Sequence, residues 1–334
     1  MLEIPVEIFR TLVGLGLCAP DEKPAAAPLA GGVSSDIWRV DLETGPVCVK
    51  RALARLKVAA DWQVPVERNA FEAAWIEAAS GIVPGAAPKI LGHDRADGLF
   101  VMEYLPPETH SLWKEELRQG RADPAFAAKV GATLARIHAG TANDVSVARR
   151  FATDAIFHAI RLEPYLEATA RAHPDMAARL HALASRTATT KLALVHGDVS
   201  PKNIFVGPAG PVFLDAECAW YGEPAFDLAF CLNHLLLKCL WMPSAAGDFI
   251  KSFRTLAGAY LAGVGWENPV AMERRTAELL PGLFLARVDG KSPVEYLTAE
   301  ADKDKVRRVA RGLLANSPAS LDEIALAWQR EIGA

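Results

Sequence analysis

The stretch from His196 to Asp215 constrains this chain more than any other. It carries His196-Gly197-Asp198, then Asn203, then Phe213-Leu214-Asp215. Three short apolar runs frame these polar residues: Leu192-Ala193-Leu194-Val195, Ile204-Phe205-Val206 and Val212-Phe213-Leu214. Gly207-Pro208-Ala209-Gly210 lies between the last two and supplies a turn. Apolar runs bounded by such residues read as strands, and two of them joined by a Gly/Pro turn read as a hairpin. The segment therefore predicts a strand, a polar loop, and a hairpin with an acid at its end. Taken singly, Asp198 is an ordinary turn residue, Asn203 a cap and Asp215 a hairpin acid. Together they offer more. One carboxylate can take the proton of a hydroxyl, and two further oxygen donors suit a hard divalent cation.

The Asp-to-Asn spacing and the order of the three residues match the protein-kinase pattern H-R-D-x-x-x-x-N followed by D-F-G. Three segments carry a closer resemblance: His196-Gly197-Asp198-Val199-Ser200-Pro201-Lys202-Asn203, Leu214-Asp215-Ala216-Glu217, and Gly222-Glu223-Pro224-Ala225-Phe226-Asp227-Leu228-Ala229. On these the chain resembles the aminoglycoside phosphotransferase and choline-kinase group of small-molecule kinases. Gly197 after the His, where protein kinases carry Arg, belongs to that resemblance. It covers most of the chain and is looser in the last part. It implies an α+β, protein-kinase-like bilobal fold, with an N-terminal antiparallel-sheet lobe over residues 1–105 that binds nucleotide. A larger, mainly helical lobe over 106–334 would hold the catalytic and acceptor sites. ATP, Mg²⁺ and a small-molecule hydroxyl acceptor follow from the same resemblance. So do the roles: Asp198 as base or orienting carboxylate, and Asn203 and Asp215 on Mg²⁺. Glu217 is a candidate for a second metal or the substrate, His196 a structural residue, and Asp227 a support for the loop backbone.

The N-terminal third reads as strand-rich. A first amphipathic helix is expected over Leu12–Ala19, then a Pro/Ala linker from Pro20 to Pro28. Trp38–Leu42 and Val47–Lys50 alternate around Thr44-Gly45-Pro46 and predict a hairpin. A helix is expected over Val66–Ser80, closed by Gly81, then strands at Pro88–Leu91 and Leu99–Tyr104. Leu105-Pro106-Pro107 marks the lobe boundary, and Asp123-Pro124 is a cap-plus-first-turn start for the helical part. Gly31, Gly32, Ser34 and Ser35 sit where a kinase places its phosphate-covering loop, although they form neither G-x-G-x-x-G nor a Walker A motif. Lys50 ends an apolar strand as a kinase's phosphate-binding lysine does, and as a strand-end lysine it is expected to add little to stability. Its expected acidic partner is Glu72, with Glu67 and Glu77 as alternatives. By resemblance the Glu103 carbonyl and the Leu105 N–H bond adenine, with Met102 behind them. Protein kinases place a lysine two positions after the catalytic Asp. Here Ser200 holds that position, so Ser200 is the candidate for the γ-phosphate and Lys202 is left open.

The short interval from Asp215 to Asp227 excludes the long activation segment, ending in A-P-E, that seats a peptide. A small acceptor is therefore expected in the helical part. Candidates are His234 and Lys238 on a Leu228–Leu240 helix, Trp266-Glu267, and Arg287-Val288-Asp289-Gly290-Lys291. Acids and bases there are nearly balanced, which disfavours a polycationic antibiotic and leaves a hydroxylated metabolite. A net charge of −4 over 334 residues disfavours a nucleic-acid partner. The five Cys show no paired spacing and read as buried thiols of a reducing cytosol, hence a cytoplasmic protein. The Leu12–Ala19 run is too short to span a bilayer, and Glu3 and Glu7 do not suit the basic start of a signal peptide. A monomer or homodimer without membrane contact is expected. The alternative functions are a non-catalytic nucleotide-binding pseudokinase module, a protein kinase, and an unrelated helical hydrolase.

Overall fold

The structure, a computed structural model, describes residues 4–29, 35–53 and 67–333. Helix α1 (Val6–Gly14) precedes strands β1 (Ala25–Pro28), β2 (Ser35–Leu42) and β3 (Gly45–Ala52). Helix α2 (Arg68–Ile82) then leads to β4 (Ile90–Asp94) and β5 (Leu99–Glu103). The five strands form one antiparallel sheet in the order β1-β2-β3-β5-β4. Strand side chains alternate between faces, and that alternation divides this sheet cleanly. Val47, Val49, Leu99 and Val101 face α1 in a core with Ile8 and Leu12. Cys48, Phe100 and Met102 face the other way, into the large core that also holds α2 and the helices further along.

Three sequence expectations shift here. The first helix lies over Val6–Gly14 rather than Leu12–Ala19, because the chain turns at Gly16, whose φ is +69°. The end of the presumed linker is an edge strand: Ala25–Pro28 pairs with Trp38–Asp41, and Pro28 sits at its margin, where a missing N–H costs least. The hairpin turns at Glu43-Thr44, with Leu42 opposite Gly45; Gly45, at φ +121°, already belongs to the strand.

Beyond the sheet come β6 (Ser111–Leu112), α3 (Trp113–Arg118), α4 (Pro124–Thr141), α5 (Val145–Arg150) and α6 (Asp154–Phe157). The helix continues as a π-helical stretch over His158–Glu167 and ends as α7 (Ala168–Ala172). Pro164 explains the irregularity, since it has no N–H for the carbonyl of Ile160 four residues back. The Arg161 guanidinium takes that carbonyl instead, at 2.6 Å. Next are α8 (Ala177–Thr189), β7 (Ala193–Val195), β8 (Ile204–Val206), β9 (Pro211–Phe213) and β10 (Trp220–Gly222). Strands β6-β8-β9 form a small sheet, and β10 pairs with β7, a partner the sequence did not reveal.

Helix α9 (Pro224–Trp241) is buried continuously from Pro224 to Cys239 and serves as the axis of the helical part. Apolar residues on every face mark such a central helix. Around it lie α10 (Ala246–Ala262), α11 (Pro269–Asp289), α12 (Glu300–Asn316) and α13 (Leu321–Ile332). Helices α4 and α10 meet where α4 has Gly131; a Cβ there would stand 2.2 Å from the Leu256 carbonyl oxygen. A helical Gly→Ala change normally gains about 1 kcal/mol, but overpacking against backbone costs about 1–3 kcal/mol. Gly131→Ala is therefore expected to lower the melting temperature, and a rise would show that α10 can move aside.

Candidate active site

Strand β7 delivers the loop His196–Asn203 to the end of the sheet pair, and Asp227 in the first turn of α9 fixes its path. Asp227 accepts hydrogen bonds from the N–H groups of His196 (2.7 Å) and Gly197 (2.8 Å), and its Oδ2 also lies 3.2 Å from His138 Nε2. Gly197 is at φ +80°, and a Cβ would meet Cys218 at 2.7 Å, so the tight loop needs glycine there. His196 is fully buried, and burial depresses its pKa. Its Nδ1 accepts the Asp198 N–H at 3.1 Å and its Nε2 donates to the Leu214 carbonyl at 3.0 Å. This ties the loop to the segment just before Asp215. Trp75 of α2 packs edge-on against the ring at 4.6 Å.

Asp198 is buried between two cations: Oδ2 lies 2.9 Å from Arg161 Nη2 and 3.0 Å from Lys202 Nζ. Burial pushes its pKa up, but the fields of Lys202 and Arg161 outweigh it, and the net direction is down. Arg161 also donates to the Gly197 carbonyl. This arginine was not among the sequence candidates. Its signal was a basic residue set between Ile160 and Leu162, three residues ahead of a mid-helix proline. Asn203 donates its amide N–H to the Asp198 carbonyl at 3.1 Å, which leaves its side-chain oxygen for the cleft.

Asp215 has φ +65°, unusual for a residue with a Cβ. The turn aims its carboxylate back at Lys50, 2.5 Å away, and Lys50 also reaches Glu72 at 2.7 Å. Of the three possible partners the structure joins Glu72 to Lys50, while Glu77 pairs with Arg150 on the surface. Burial works against the Lys50 charge, but Asp215 and Glu72 more than offset it and raise its pKa. Burial lifts Glu72 to about 7 against the pull of Lys50. The expectation that Lys50, as a strand-end lysine, adds little to stability is thus corrected: it is 3% exposed and holds two carboxylates. Glu217 is bound by Arg68 at 2.9 Å.

These groups head a cleft between the sheet and the helical part. Ser35, Ile37, Lys50, Glu72, Met102, Glu103, Tyr104 and Leu105 line it from one side, and Leu112, Lys202, Asn203, Leu214 and Asp215 from the other. The Leu105 N–H meets no acceptor among the described residues. Gly31, Gly32 and Ser34 lie outside the described residues. Ser200 is fully buried with its hydroxyl unpartnered and does not line the cleft, whereas Lys202 does. The offset of the lysine is absorbed by the short 3₁₀ turn Pro201–Asn203, which brings it back beside Asp198. On the helical side, His234, Lys238 and Arg287 are buried. Trp266 and Glu267 instead join Arg275 and Glu223. Asp289 pairs with Arg307 and His173, and Lys291 with Glu163.

The sequence pattern of the phosphotransferase enzyme family matches residues 25–279. The chain belongs to this family. It is similar to the methylthioribose kinase of Yersinia pseudotuberculosis serotype O:3 (strain YPIII), 27% identical over 230 residues, 60% of this chain and 55% of that protein. It is also similar to that of Cronobacter sakazakii (strain ATCC BAA-894), 28% identical over 264 residues, 70% of this chain and 65% of that protein. The chain thus spans between about half and two thirds of the length of these relatives. Among solved structures it is similar to a choline/ethanolamine kinase family protein from Mesorhizobium loti, with TM-score 0.52, 16% identity and coverage of 96% and 97% of the two chains. A macrolide 2'-phosphotransferase from Brachybacterium faecium gives TM-score 0.50, 19% identity and 91% coverage of each. At these identities the likeness is one of fold, and it is the protein-kinase-like fold of small-molecule kinases.

Two stability predictions follow from the buried charges. Lys50→Ala strands two carboxylates and is expected to cost about 3–5 kcal/mol in urea unfolding, while Lys50→Met combined with Glu72→Gln costs distinctly less. Asp227→Ala leaves the His196 and Gly197 amides without their acceptor, at about 1–3 kcal/mol each. A loss below 1 kcal/mol would mean that water reaches the loop.

Proposed function

We propose that this chain transfers the γ-phosphate of ATP to a hydroxyl of a small molecule, with Mg²⁺ as cofactor. One observation carries the reading: a buried carboxylate, Asp198, lies between Arg161 and Lys202 beside a cleft headed by Lys50, Glu72 and Asp215. In this reading residues 1–105 form the nucleotide lobe and 106–334 the catalytic and acceptor lobe. The cleft walls at Ile37, Met102, Leu112 and Leu214 suit a flat apolar base, and the Leu105 N–H and Glu103 carbonyl supply its polar edge. Lys50, oriented by Glu72, addresses the α- and β-phosphates. Gly31, Gly32, Ser34 and Ser35 are assigned to the phosphates on the strength of the family resemblance alone.

Asn203 and Asp215 would hold Mg²⁺, and their oxygen donors fit a hard cation that keeps water and phosphate as its other ligands. When bound, it would offset charge on the phosphates. Asp198 receives the acceptor hydroxyl and orients its oxygen in line with the γ-phosphorus. The new oxygen–phosphorus bond forms as the bond to the β–γ bridging oxygen breaks, the hydroxyl proton passes to Asp198, and ADP departs. Lys202, at the cleft wall and 3.0 Å from Asp198, offsets charge on the moving phosphoryl group. Lys202 thus replaces Ser200 in the part first read for that serine. The acceptor is small because the chain runs from Asp215 through β10 into α9 without any platform for a polypeptide.

The test is Mg²⁺-dependent ADP release across aminoglycosides, amino alcohols, sugars and hydroxy acids. Asp198→Ala is expected to lower kcat roughly 10²–10⁴-fold, and near-wild-type turnover in that variant would sink the mechanism. Lys202→Ala is expected to lower kcat by roughly 10²-fold or more, while Ser200→Ala stays close to wild type. The reverse pattern would restore the serine.

A further inference from the structure

Three of the candidates on the helical side of Asp198 share a property. His234, Lys238 and Arg287 are buried polar groups, and none forms an ion pair among the described residues. Arg287, 8% exposed, donates to the Tyr165 hydroxyl at 3.1 Å and to Ser292, and its Nε has no partner among the described residues. Lys238 is 1% exposed; its ammonium makes no hydrogen bond among the described residues and lies 3.9 Å and 3.8 Å from the ring centroids of Trp241 and Tyr296. His234, one turn earlier on α9, has its Nε2 buried without a partner among the described residues.

Aromatic contacts join this group to the catalytic carboxylate. Phe230 packs against His234 with ring centroids 5.4 Å apart, and the Arg161 guanidinium lies 5.7 Å from the Phe230 ring. Arg161 is the residue that holds Asp198. Tyr165 touches both arginines. The charges do not balance. Asp198 is already shared by Arg161 and Lys202, and Glu295 is taken by Lys114 at 2.5 Å. Lys238 and Arg287 are left over. Burial, reinforced by Lys114 and then by Arg287, pushes Lys238 down to about 6 despite the opposing pull of Glu295. A buried cation without a counter-charge is costly.

We propose that the acceptor is an anionic hydroxy compound whose carboxylate or phosphate group lies on Arg287 and Lys238 while its hydroxyl faces Asp198. A polycation would be repelled here, and a neutral polyol would leave Arg287 uncompensated and give Lys238 no counter-charge to hold its proton. An anion completes both pairs, and His234 Nε2 stands ready beside them as a further polar contact. The inference rests on the transferase reading, and the transfer step is the one given above.

The experiment uses the full chain with Mg²⁺ and ATP, and acceptor pairs that differ in charge: glycerate and glycerol, gluconate and sorbitol, glycerol 3-phosphate and glycerol. ADP release should be stimulated by an anionic member, with kcat/KM roughly tenfold or more above its neutral partner, as expected for charge-assisted hydrogen bonds. Arg287→Gln and Lys238→Met should each raise the acceptor KM roughly tenfold and leave the KM for ATP in place. A merely structural role would move both together with the melting temperature. A second readout needs no turnover. With Mg·AMP-PNP filling the nucleotide cleft, sulfate should raise the melting temperature of wild type more than of either variant. Equal or better stimulation by neutral or amino compounds overturns the proposal, as does a sulfate shift identical in all three proteins. Failure of the transferase reading itself has a separate signature, unchanged basal ADP release in Asp198→Ala, and would remove both.

Discussion

The Lys50 ammonium is the contact on which the rest of the site depends. It sits on β3, yet its two partners come from elsewhere: Glu72 from α2 and Asp215 from the turn after β9. Three separate elements therefore meet at one buried charge. Desolvation would ordinarily discharge a lysine placed so deep, and two carboxylates prevent it. The geometry is demanding because the attraction falls off quickly when one partner leaves, and the loss of one partner leaves the others buried and unpaired. The sheet, α2 and the helical part are thus held in a single relative placement by the residues that also head the cleft.

The opposite wall is organised by uncharged groups around one acid. Asp227 gathers two backbone amides, His196 ties the loop to Leu214, and Trp75 packs on the imidazole from α2. Each of these residues acts through another. Their effect is to place Asp198 and Asn203 on the same edge of the cleft as Asp215, so three oxygen-bearing side chains from two loops converge without belonging to one element. Preorganisation of this kind leaves little reorientation to be done at the moment of reaction.

Much of this was legible in the sequence, for identifiable reasons. Alternation in β3 and β5 and the Asp123-Pro124 cap are local signals, and they gave strands and helix starts close to those observed. The motif from His196 to Asp215 carried the loop, because its spacing reflects a fixed path of backbone. What escaped notice depends on contacts distant in sequence. Arg161 lies 37 residues before Asp198 and meets it only through a distorted helix. Strand β10 is three residues long and exists only because β7 offers it an edge. The burial of Lys50 and Arg287 was likewise hidden, since an isolated lysine or arginine carries no mark of what will cover it.

The π-helical stretch around Pro164 has a consequence for anyone seeking a sturdier version of this protein. Judged by helix propensity alone, an interior proline is the first residue to replace. Here the missing amide at Pro164 leaves the Ile160 carbonyl for the Arg161 guanidinium, whose other nitrogens meet the Gly197 carbonyl and the Asp198 carboxylate. Regularising the helix would give that carbonyl a backbone donor and set the arginine free to swing away. Local order and the charge around Asp198 thus pull in opposite directions at one position, and a consensus or stability-driven redesign should hold that proline constant.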